Sequence, residues 1–333
     1  MRPSLLKQLF GDALSLPASG RAAFLDEACR GDQALRDELA SLLRYHEQGP
    51  DFLDQVHGAL DSVSLINDSL LQKRYEGYET ESIIAEGGMG VVLRARSGTG
   101  DAVAIKVQPP HLAGDANTRA RFEREAGVTS RLQHPALCKV LETGLTEDGS
   151  LFVVMPLYGG ETLRERLRRG PLPLAEAIEV LMVCAEGLLA AHQVGIVHRD
   201  VKPGNIMLTP TGPIILDFGL ARLMDASRLT ATGTVLGTAA YMSPEQLRAQ
   251  SVDWRTDIWS LGVVAFEMLA GTRPFGEVAA HEVARAILEE NPDSLPASVP
   301  RELQSAVSRM LVKEKEKRLA GLELLPSLLG QGS

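Results

Sequence analysis

The order of strand-like and helix-like segments is the feature that most constrains the fold of this chain. Between residues 78 and 157 the apolar residues occur in five short runs: YETESIIA, GVVLRAR, AVAIKVQ, CKVLETGL and LFVVMPL. After Gly160 the pattern changes, and stretches such as AEAIEVLMVCAEGLLAAHQVG and DIWSLGVVAFEMLAG repeat their apolar residues about every 3.6 positions. Strands first and helices second predict an α+β fold with two lobes and a cleft between them.

The residues before this region form a separate part of the sequence. Apolar residues within 1–50 recur at helical spacing, which predicts a helical N-terminal region. The helical signal weakens over residues 51–76, which contain Gly and Pro followed by mixed polarity, so we interpret them as a linker. The two-lobed domain is then expected over residues 77–329.

Composition and charge exclude several classes of protein. The longest apolar run, LGVVAFEMLAG, is shorter than the roughly 18 residues of a membrane span and contains Glu267. The N-terminus does not have the pattern of a secretion signal, so we expect a cytoplasmic protein with no membrane span. The formal net charge of -9 argues against nucleic-acid binding. The three cysteines have no metal-like spacing, which indicates buried free thiols.

A glycine-rich stretch, IIAEGGMGVVLRAR, covers the end of the first predicted strand and the second. Alone it is weak evidence for a nucleotide site, because Gly also occurs in any tight hairpin. It is followed in order by four further motifs: VAIK ending at Lys106, HRDVKPGN from His198, DFG from Asp217 and SPE from Ser243. This series resembles the Hanks-type protein kinases over roughly residues 78–328.

The resemblance implies a bilobal protein kinase-like fold. Its small N-lobe, an antiparallel sheet with one main helix, would cover residues 77–155. A hinge would follow over 156–160, and a larger helical C-lobe over 161–329. The same resemblance implies an ATP-dependent Ser/Thr protein kinase that acts on proteins.

Motif positions assign the catalytic groups under this resemblance. Lys106 would hold the α and β phosphates of ATP with Glu125 as its partner, while Glu123 lies on a different helical face and is interpreted as solvated. A surface lysine on an edge strand is the alternative interpretation of Lys106. Asp200 would accept the proton of the substrate hydroxyl, and Lys202 would steady the transferring phosphate, as in the Ser/Thr-directed branch.

The metal-binding residues follow from the same motifs. Asn205 and Asp217 supply hard oxygen ligands, which suit Mg²⁺ shared with the nucleotide phosphates, with Mn²⁺ as an alternative ion. His198 is expected to pack and hydrogen-bond beneath the base rather than to shuttle protons. Two structural contacts are also predicted: a buried ion pair Glu245–Arg318, and hydrogen bonds from Asp257 to the catalytic-loop backbone.

Adenine is expected to lie between apolar side chains of the two lobes, beside the hinge backbone from Pro156 to Tyr158. Val92 and Ala104 would cover adenine from the N-lobe and Met207 from the C-lobe. Ordinary core packing is the alternative for these apolar residues. The full set assigned to the nucleotide is Ala85, Gly87, Gly90, Val92, Ala104, Lys106, Met155, Leu157 and Met207.

Ala85 stands where kinases of this type usually have their first loop glycine. Gly87 and Gly90 remain to allow close approach of the backbone to phosphates. A methyl group costs little if residue 85 is extended, and roughly 1 kcal/mol if that residue needs a positive φ. We therefore expect slightly weaker ATP binding rather than an inactive protein.

The segment after DFG is the expected regulatory element. RLMDASRLTATGTVLGTAAYMSPEQ is polar, rich in Thr and without helical or strand period, as a movable loop should be. Thr230 and Thr232 are the predicted phosphosites, because a phosphate there could pair with Arg199. Thr238 resembles part of a substrate-facing turn and would hydrogen-bond the catalytic base. A merely flexible Ser/Thr loop is the alternative.

Two other functions compete with this interpretation. A kinase-fold scaffold without turnover is supported only by Ala85, since the catalytic positions are all filled. A small-molecule phosphotransferase would share the lobes, but the GTAAYMSPE turn is typical of kinases that hold an extended peptide. Protein substrates are therefore expected, and no residue outside the common catalytic set indicates a peptide preference.

The N-terminal region has a resemblance of its own. AFLDEACRGD and ELASLL are similar to the helical leader found ahead of many bacterial Ser/Thr kinases. Such a leader could pack as a cap on the kinase lobes or pair two chains through its leucine face. A homodimer through these helices or through a kinase lobe is thus one of the open interpretations.

Overall fold

The computed structural model of the chain describes residues 24–25, 28–29, 70–71, 75, 77–87, 90–108, 132–146, 149–217, 239–276 and 280–328. The chain divides into two units, Met1–Gln72 and Lys73–Ser333. In the first unit Leu25 is helical, and its carbonyl accepts a hydrogen bond of 3.1 Å from the Cys29 amide. None of the helices within the described ranges is long and apolar enough to cross a membrane.

A five-stranded antiparallel sheet forms the N-lobe of the second unit. Its strands are β1 (Tyr78–Gly87), β2 (Gly90–Ser97), β3 (Ala102–Gln108), β4 (Glu142–Leu145) and β5 (Leu151–Pro156). In space the order is β1-β2-β3-β5-β4, which places β3 in the centre. All residues of β3 after Ala102 are buried, as expected for a strand covered on both faces.

The C-lobe is mainly helical and contains one small sheet. Strand β6 (Glu161–Thr162) pairs with β7 (Ile206–Thr209), which pairs with β8 (Gly212–Ile215). The longer helices are α2 (Leu174–Gln193), α4 (Arg255–Ala270), α5 (Ala280–Glu289) and α6 (Arg301–Met310). The shorter ones are α1 (Leu163–Leu167), α3 (Pro244–Leu247) and α7 (Leu325–Leu328). Short 3₁₀ turns lie at Pro203–Asn205, Ala239–Tyr241 and Leu322–Leu324.

The core of the C-lobe is built around α4. Every residue from Thr256 to Phe266 is buried, because this helix is apolar on nearly all sides and other elements surround it. Trp259, fully buried, stacks on Phe275 with ring centroids 5.6 Å apart. The helix ends at Gly271, whose φ of 74° gives the left-handed cap that glycine adopts without strain.

Backbone hydrogen bonds join the segment before β4 to β8 of the C-lobe. The amide of Cys138 donates to the carbonyl of Ile215, and the amide of Ile215 donates to the carbonyl of Ala136, both at 2.8 Å. The end of β8 therefore lies directly against the N-lobe. The α+β fold with a sheet lobe followed by a helical lobe is confirmed.

The cysteines behave as the sequence predicts. Cys29, Cys138 and Cys184 are free and buried. Burial raises the pKa of the Cys138 and Cys184 thiols to about 12, so both are protonated at neutral pH. Both thiols are therefore poor sources of the reactive thiolate.

Candidate active site

Lys106 lies in the middle of the N-lobe sheet. On β3 it pairs with Val92 on one side and Val153 on the other, so the interpretation of Lys106 as an edge-strand surface residue is wrong. Its side chain is 7% exposed, and its Nζ lies 2.6 Å from Oδ2 of Asp217. A buried ammonium needs such a partner. Glu125, the partner predicted from the sequence, lies outside the described residues, as does Glu123.

Asp217 follows β8 at the point where the two lobes meet. Its φ of 63° is left-handed, which is uncommon for a residue other than glycine and recurs at functional sites. Burial would raise the pKa of its carboxyl, but the charge and the hydrogen bond of Lys106, with smaller contributions from His198 and Lys202, outweigh burial and lower that pKa. Asp217 is therefore a carboxylate in a cationic environment.

Asp200 is the centre of a second polar cluster. Its Oδ2 accepts hydrogen bonds from Nζ of Lys202 at 2.7 Å and from Nδ2 of Asn205 at 3.0 Å. The same Asn205 amide group donates to the Asp200 carbonyl at 2.9 Å. The Asp200 and Lys202 side chains are 10% and 11% exposed, so the carboxylate is oriented but still reachable.

A backbone contact brings the two clusters together. The amide of Leu216, the residue before Asp217, donates to the carbonyl of Asn205 at 2.8 Å. The Nδ2 atom of Asn205 faces Asp200, which leaves its Oδ1 for another partner. An amide oxygen and a carboxylate are hard donors of the kind that Mg²⁺ prefers, so the chemistry of Asn205 and Asp217 fits that ion.

His198 supports this arrangement from beneath. It is fully buried, its Nδ1 accepts a hydrogen bond from the Asp200 amide at 3.1 Å, and its Nε2 lies 2.8 Å from the Leu216 carbonyl. With Nδ1 as acceptor, Nε2 is the nitrogen that can donate to the Leu216 carbonyl. The prediction that His198 packs and hydrogen-bonds beneath the base is confirmed.

Asp257, in the first turn of α4, holds the catalytic-loop backbone. Its carboxylate accepts hydrogen bonds from the amides of His198 at 2.8 Å and Arg199 at 2.7 Å, as predicted. Arg199 has a φ of 68°, so these bonds hold the loop at a left-handed residue. His192 was missed by the sequence analysis; its Nε2 lies 2.8 Å from Asp257 Oδ2. Nothing in the local sequence marks that contact.

Another residue that the sequence analysis missed is Gln246. Its Nε2 donates to the Arg199 carbonyl at 2.8 Å, which ties α3 to the catalytic loop. Ser243 and Gln246 form a capping box at the start of α3, and the Ser-x-x-Gln spacing is the signal that could have revealed it. The predicted pair between Glu245 and Arg318 is confirmed, with Nη1–Oε1 and Nη2–Oε2 distances of 2.8 Å and 3.0 Å.

The residues assigned to adenine largely share one apolar cluster. Ala104 and Met155 are buried in it together with Cys138 and Ile214, and Val92 and Leu157 pack against it. Met207 lies on β7 opposite Ile214. The Leu157 amide is 3.5 Å from the Ala102 carbonyl, at the limit of a hydrogen bond. The Tyr158 hydroxyl accepts from the Lys139 amide at 3.2 Å and thereby holds the hinge against the segment before β4.

The glycine-rich stretch forms the hairpin between β1 and β2. Gly87 pairs with Gly90 and Ala85 pairs with Val92. Gly90 has a φ of 121°, and a Cβ there would overlap the Val107 carbonyl oxygen, so only glycine fits. Ala85 is an exposed strand residue, and the described non-glycine residues with positive φ are Arg199, Asp217 and Ala249. Ala85 therefore has the extended backbone for which a methyl group costs little.

The activation segment is outside the part of the chain that the structure describes. The predicted phosphosites Thr230 and Thr232, and Thr238 of the predicted substrate-facing turn, all belong to this segment. The described chain resumes at Ala239, which opens the 3₁₀ turn leading to Tyr241.

The site combines two features: the buried Lys106 paired with Asp217 where the lobes meet, and the oriented cluster of Asp200, Lys202 and Asn205. This combination is typical of a phosphotransferase of the protein kinase type. Comparison with known families agrees, since residues 78–328 match the protein kinase domain. The chain belongs to the protein kinase family. Kinases of this family use ATP and a divalent metal, generally Mg²⁺.

Bacterial Ser/Thr kinases are among the similar proteins. Serine/threonine-protein kinase PknA of Mycobacterium tuberculosis is 40% identical over 248 residues, which cover 72% of this chain and 58% of PknA. PknL of the same organism is 42% identical over 240 residues, covering 71% of this chain and 57% of PknL. The chain thus spans less than two thirds of the length of these relatives. The crystal structure of a mutant M. tuberculosis PknI kinase domain is similar with a TM-score of 0.62 and 27% identity, over 78% of this chain and 97% of that one.

Proposed function

We propose that this protein is a serine/threonine protein kinase, which transfers the γ-phosphate of ATP to hydroxyl groups of proteins and of its own activation segment. The observation that carries the proposal is the joined pair of clusters: Asp200 with Lys202 and Asn205, linked through Leu216 to Asp217 and Lys106. This arrangement combines a base, cations and hard oxygen ligands within one site, which is what phosphoryl transfer requires.

Asp200 is the proposed catalytic base. A bond forms between the acceptor hydroxyl oxygen and the γ-phosphorus, and the bond from that phosphorus to the β–γ bridging oxygen breaks, so that ADP leaves. The hydroxyl proton goes to Asp200, whose carboxylate is already oriented by Asn205. Lys202 offsets the charge of the transferring phosphate from its position 2.7 Å from Asp200.

Lys106 and Asp217 have separate proposed roles once nucleotide binds. Lys106 would hold the α and β phosphates and exchange its partner Asp217 for Glu125. Asp217 and Asn205 would then hold Mg²⁺, or Mn²⁺ in its place, and the bound ion would neutralise phosphate charge. The backbone of Gly87 and Gly90 would lie near the phosphates. The other residues that would enclose the nucleotide are Ala85, Val92, Ala104, Met155, Leu157 and Met207.

The activation segment is the proposed regulatory element. Phosphate on Thr230 or Thr232 would pair with Arg199, and Thr238 would hydrogen-bond the base. Support comes from the left-handed backbone of Arg199 beside the base. Its amide and the amide of His198 donate hydrogen bonds to Asp257, and its carbonyl accepts one from Gln246. Alanine at both Thr230 and Thr232 should slow turnover. Initial rates equal to those of the wild type would reject these phosphosites.

We also propose the domain organisation of the chain and the location of the protein in the cell. We assign residues 1–50 to a helical region, 51–76 to a linker and 77–329 to the kinase domain. We place the protein in the cytoplasm, with protein substrates and without nucleic-acid partners. A homodimer through the N-terminal helices or a kinase lobe is testable by light scattering of the full chain.

The choice of acceptor tests the proposed function. The full chain with ATP and Mg²⁺ is offered a generic basic protein in one reaction and an aminoglycoside or sugar in another. We expect phosphate on Ser or Thr of the protein acceptor, no transfer to the small molecules, and loss of transfer in Asp200→Asn. Transfer only to the small molecules, or binding of ATP without any transfer, contradicts the proposal.

A further inference from the structure

Helix α1 and its C-terminal turn concentrate positive charge in an otherwise acidic chain. Four arginines occur within RERLRR, residues 164–169, although the formal net charge is -9. Two of them are paired: Arg169 Nη1 lies 2.7 Å from Glu161 Oε2, and Arg166 Nη2 lies 3.3 Å from Glu176 Oε2. Arg164 is exposed and makes no ion pair within the described ranges.

Arg164 lies instead against the catalytic loop. A Cβ built on Gly204 would be 3.3 Å from both Cζ and Nη2 of Arg164, so the guanidinium occupies the space where other residues would have a side chain. Gly204 is not among the glycines with positive φ in the described part of the chain, so the backbone does not require glycine there. The missing side chain gives the guanidinium access to this loop.

Arg164 lies close enough to the base Asp200 for one bound peptide to contact both residues. Gly204 precedes Asn205, whose Nδ2 is 3.0 Å from Asp200 Oδ2. Along this series of contacts the guanidinium is within about 15 Å of the Asp200 carboxylate. An extended peptide advances about 3.3 Å per residue, so Arg164 can meet a substrate side chain up to about four residues from the acceptor hydroxyl.

Two charged side chains of the same lobe, Lys202 and Glu267, already have hydrogen-bond partners. Lys202 is bonded to Asp200, and Glu267 accepts a hydrogen bond of 2.6 Å from the Tyr241 hydroxyl. Burial and Glu267 raise the pKa of Tyr241, whereas the charges of Arg273 and Arg164 act to lower it. The charges of Arg164 and Arg273 therefore both act on Tyr241. Tyr241 ends the 3₁₀ turn at which the described chain resumes after the activation segment.

We infer that Arg164 is a specificity-determining residue that favours an acidic substrate side chain within about four residues of the acceptor Ser or Thr. The inference rests on the proposed kinase function and adds a substrate class to it. Arginine binds carboxylate or phosphate with two parallel hydrogen bonds, and Arg164 has no competing carboxylate partner among the described residues. Because the site is exposed, we expect a three- to tenfold preference, which corresponds to about 1 kcal/mol in free energy.

Matched peptides test the inference. Peptides that differ only in Asp, Ala or Lys at each of the four positions on either side of one Thr are phosphorylated by the full chain at physiological salt. At one or two positions, kcat/KM should be three- to tenfold higher for Asp than for Ala and lowest for Lys. Arg164→Ala should remove the preference, and Arg164→Glu should reverse it toward Lys.

Two further variants test whether the preference comes from a local contact with Arg164 or from the overall positive charge of helix α1. Arg168→Ala removes another exposed arginine from the end of the same helix and should keep the Asp preference. Gly204→Glu places a carboxylate beside Arg164 and should abolish the preference with Arg164 intact. Loss of the preference in Arg168→Ala, or its survival in Arg164→Ala, overturns the inference.

The proposed function and this inference fail in different ways. Equal kcat/KM for Asp, Ala and Lys peptides overturns the role of Arg164 and leaves the kinase function standing. Absence of transfer to every peptide, to the basic protein and to the chain itself removes both. Melting temperatures of the variants equal to that of the wild type establish that the comparison concerns folded protein.

Discussion

Ala85 poses the sharpest question at the scale of single residues. It stands at a position that glycine usually occupies in this family, yet it lies in the extended part of β1 opposite Val92 with its side chain exposed. Gly90, five residues later, has a φ of 121°, and a Cβ at this position would overlap the Val107 carbonyl oxygen. No side chain fits there. The two positions therefore differ in what they require, although both belong to the same hairpin.

A pair of substitutions measures this difference. Ala85→Gly should change the KM for ATP by less than about fivefold, because an extended residue gains little from losing a methyl group. Gly90→Ala should raise the KM for ATP by at least about tenfold, because its Cβ would overlap the Val107 carbonyl. Steady-state kinetics at varied ATP give both values. A rate restored many hundredfold by Ala85→Gly would show that Ala85 disables the loop.

The Lys106–Asp217 pair gives a prediction on pH. The pKa of Asp217 in the folded protein is below that of an unfolded Asp, about 3.9, so the pair stabilises the fold above that pH and loses its effect as pH falls through the folded pKa. Lys106→Met removes the pair. The melting temperature of the wild type relative to the variant should therefore be constant from about pH 7 to 5 and decline below about pH 4. A difference that grows as the pH falls contradicts the sign of the pKa shift.

At the scale of elements, α4 connects the C-lobe core to the catalytic loop through Asp257. Asp257→Ala would remove this carboxylate acceptor from the buried amide of His198 and the partly buried amide of Arg199, at a cost of about 1–3 kcal/mol for each. We expect a lower melting temperature and a kcat reduced at least tenfold. The KM for ATP should change less, because Asp257 binds the backbone next to the base rather than the residues assigned to adenine. Asp293→Ala, at an exposed carboxylate, is the control and should change neither. Full activity in Asp257→Ala would show that the loop does not depend on α4.

Helix α3 is attached to the rest of the C-lobe by the Glu245–Arg318 pair. The Arg318 side chain is 0% exposed, and its guanidinium also donates to the Val312, Arg255 and Lys313 carbonyls. Removing one partner of a buried pair leaves an uncompensated charge. Glu245→Ala should lower the free energy of unfolding by about 3–5 kcal/mol, measured by denaturant titration. Glu161→Ala breaks an exposed pair with Arg169 and should have a far smaller effect; equal effects would contradict the argument from burial.

The whole molecule shows which features a sequence can reveal. The change from a period of two to one of 3.6 predicts the order of the lobes, because each element must bury an apolar face. Motif spacing led to Lys106, Asp200, Asn205 and Asp217, each of which lies in the two joined clusters. These predictions concern local patterns or residues that a family motif marks.

The missed contacts are through-space pairs between distant segments. Lys106 and Asp217 are 111 residues apart, and His192 and Asp257 are 65 apart, so no local period connects them. The contact of Arg164 with Gly204 depends on the packing of α1 against the catalytic loop and on the absence of a side chain. Such contacts are determined by tertiary packing, which the hydrophobic pattern specifies only in outline.

The central claim is that the full chain is an active kinase, and one measurement tests it most directly. Incorporation of the γ-phosphate of ATP with Mg²⁺ is followed in the protein itself and in a basic protein, for the wild type and Asp217→Asn, with the sites mapped afterwards. The account predicts label on Thr230 or Thr232 in the wild type and none in Asp217→Asn. Binding of ATP by the wild type without incorporation into either acceptor, both in the full chain and after deletion of the residues before Tyr75, would contradict it.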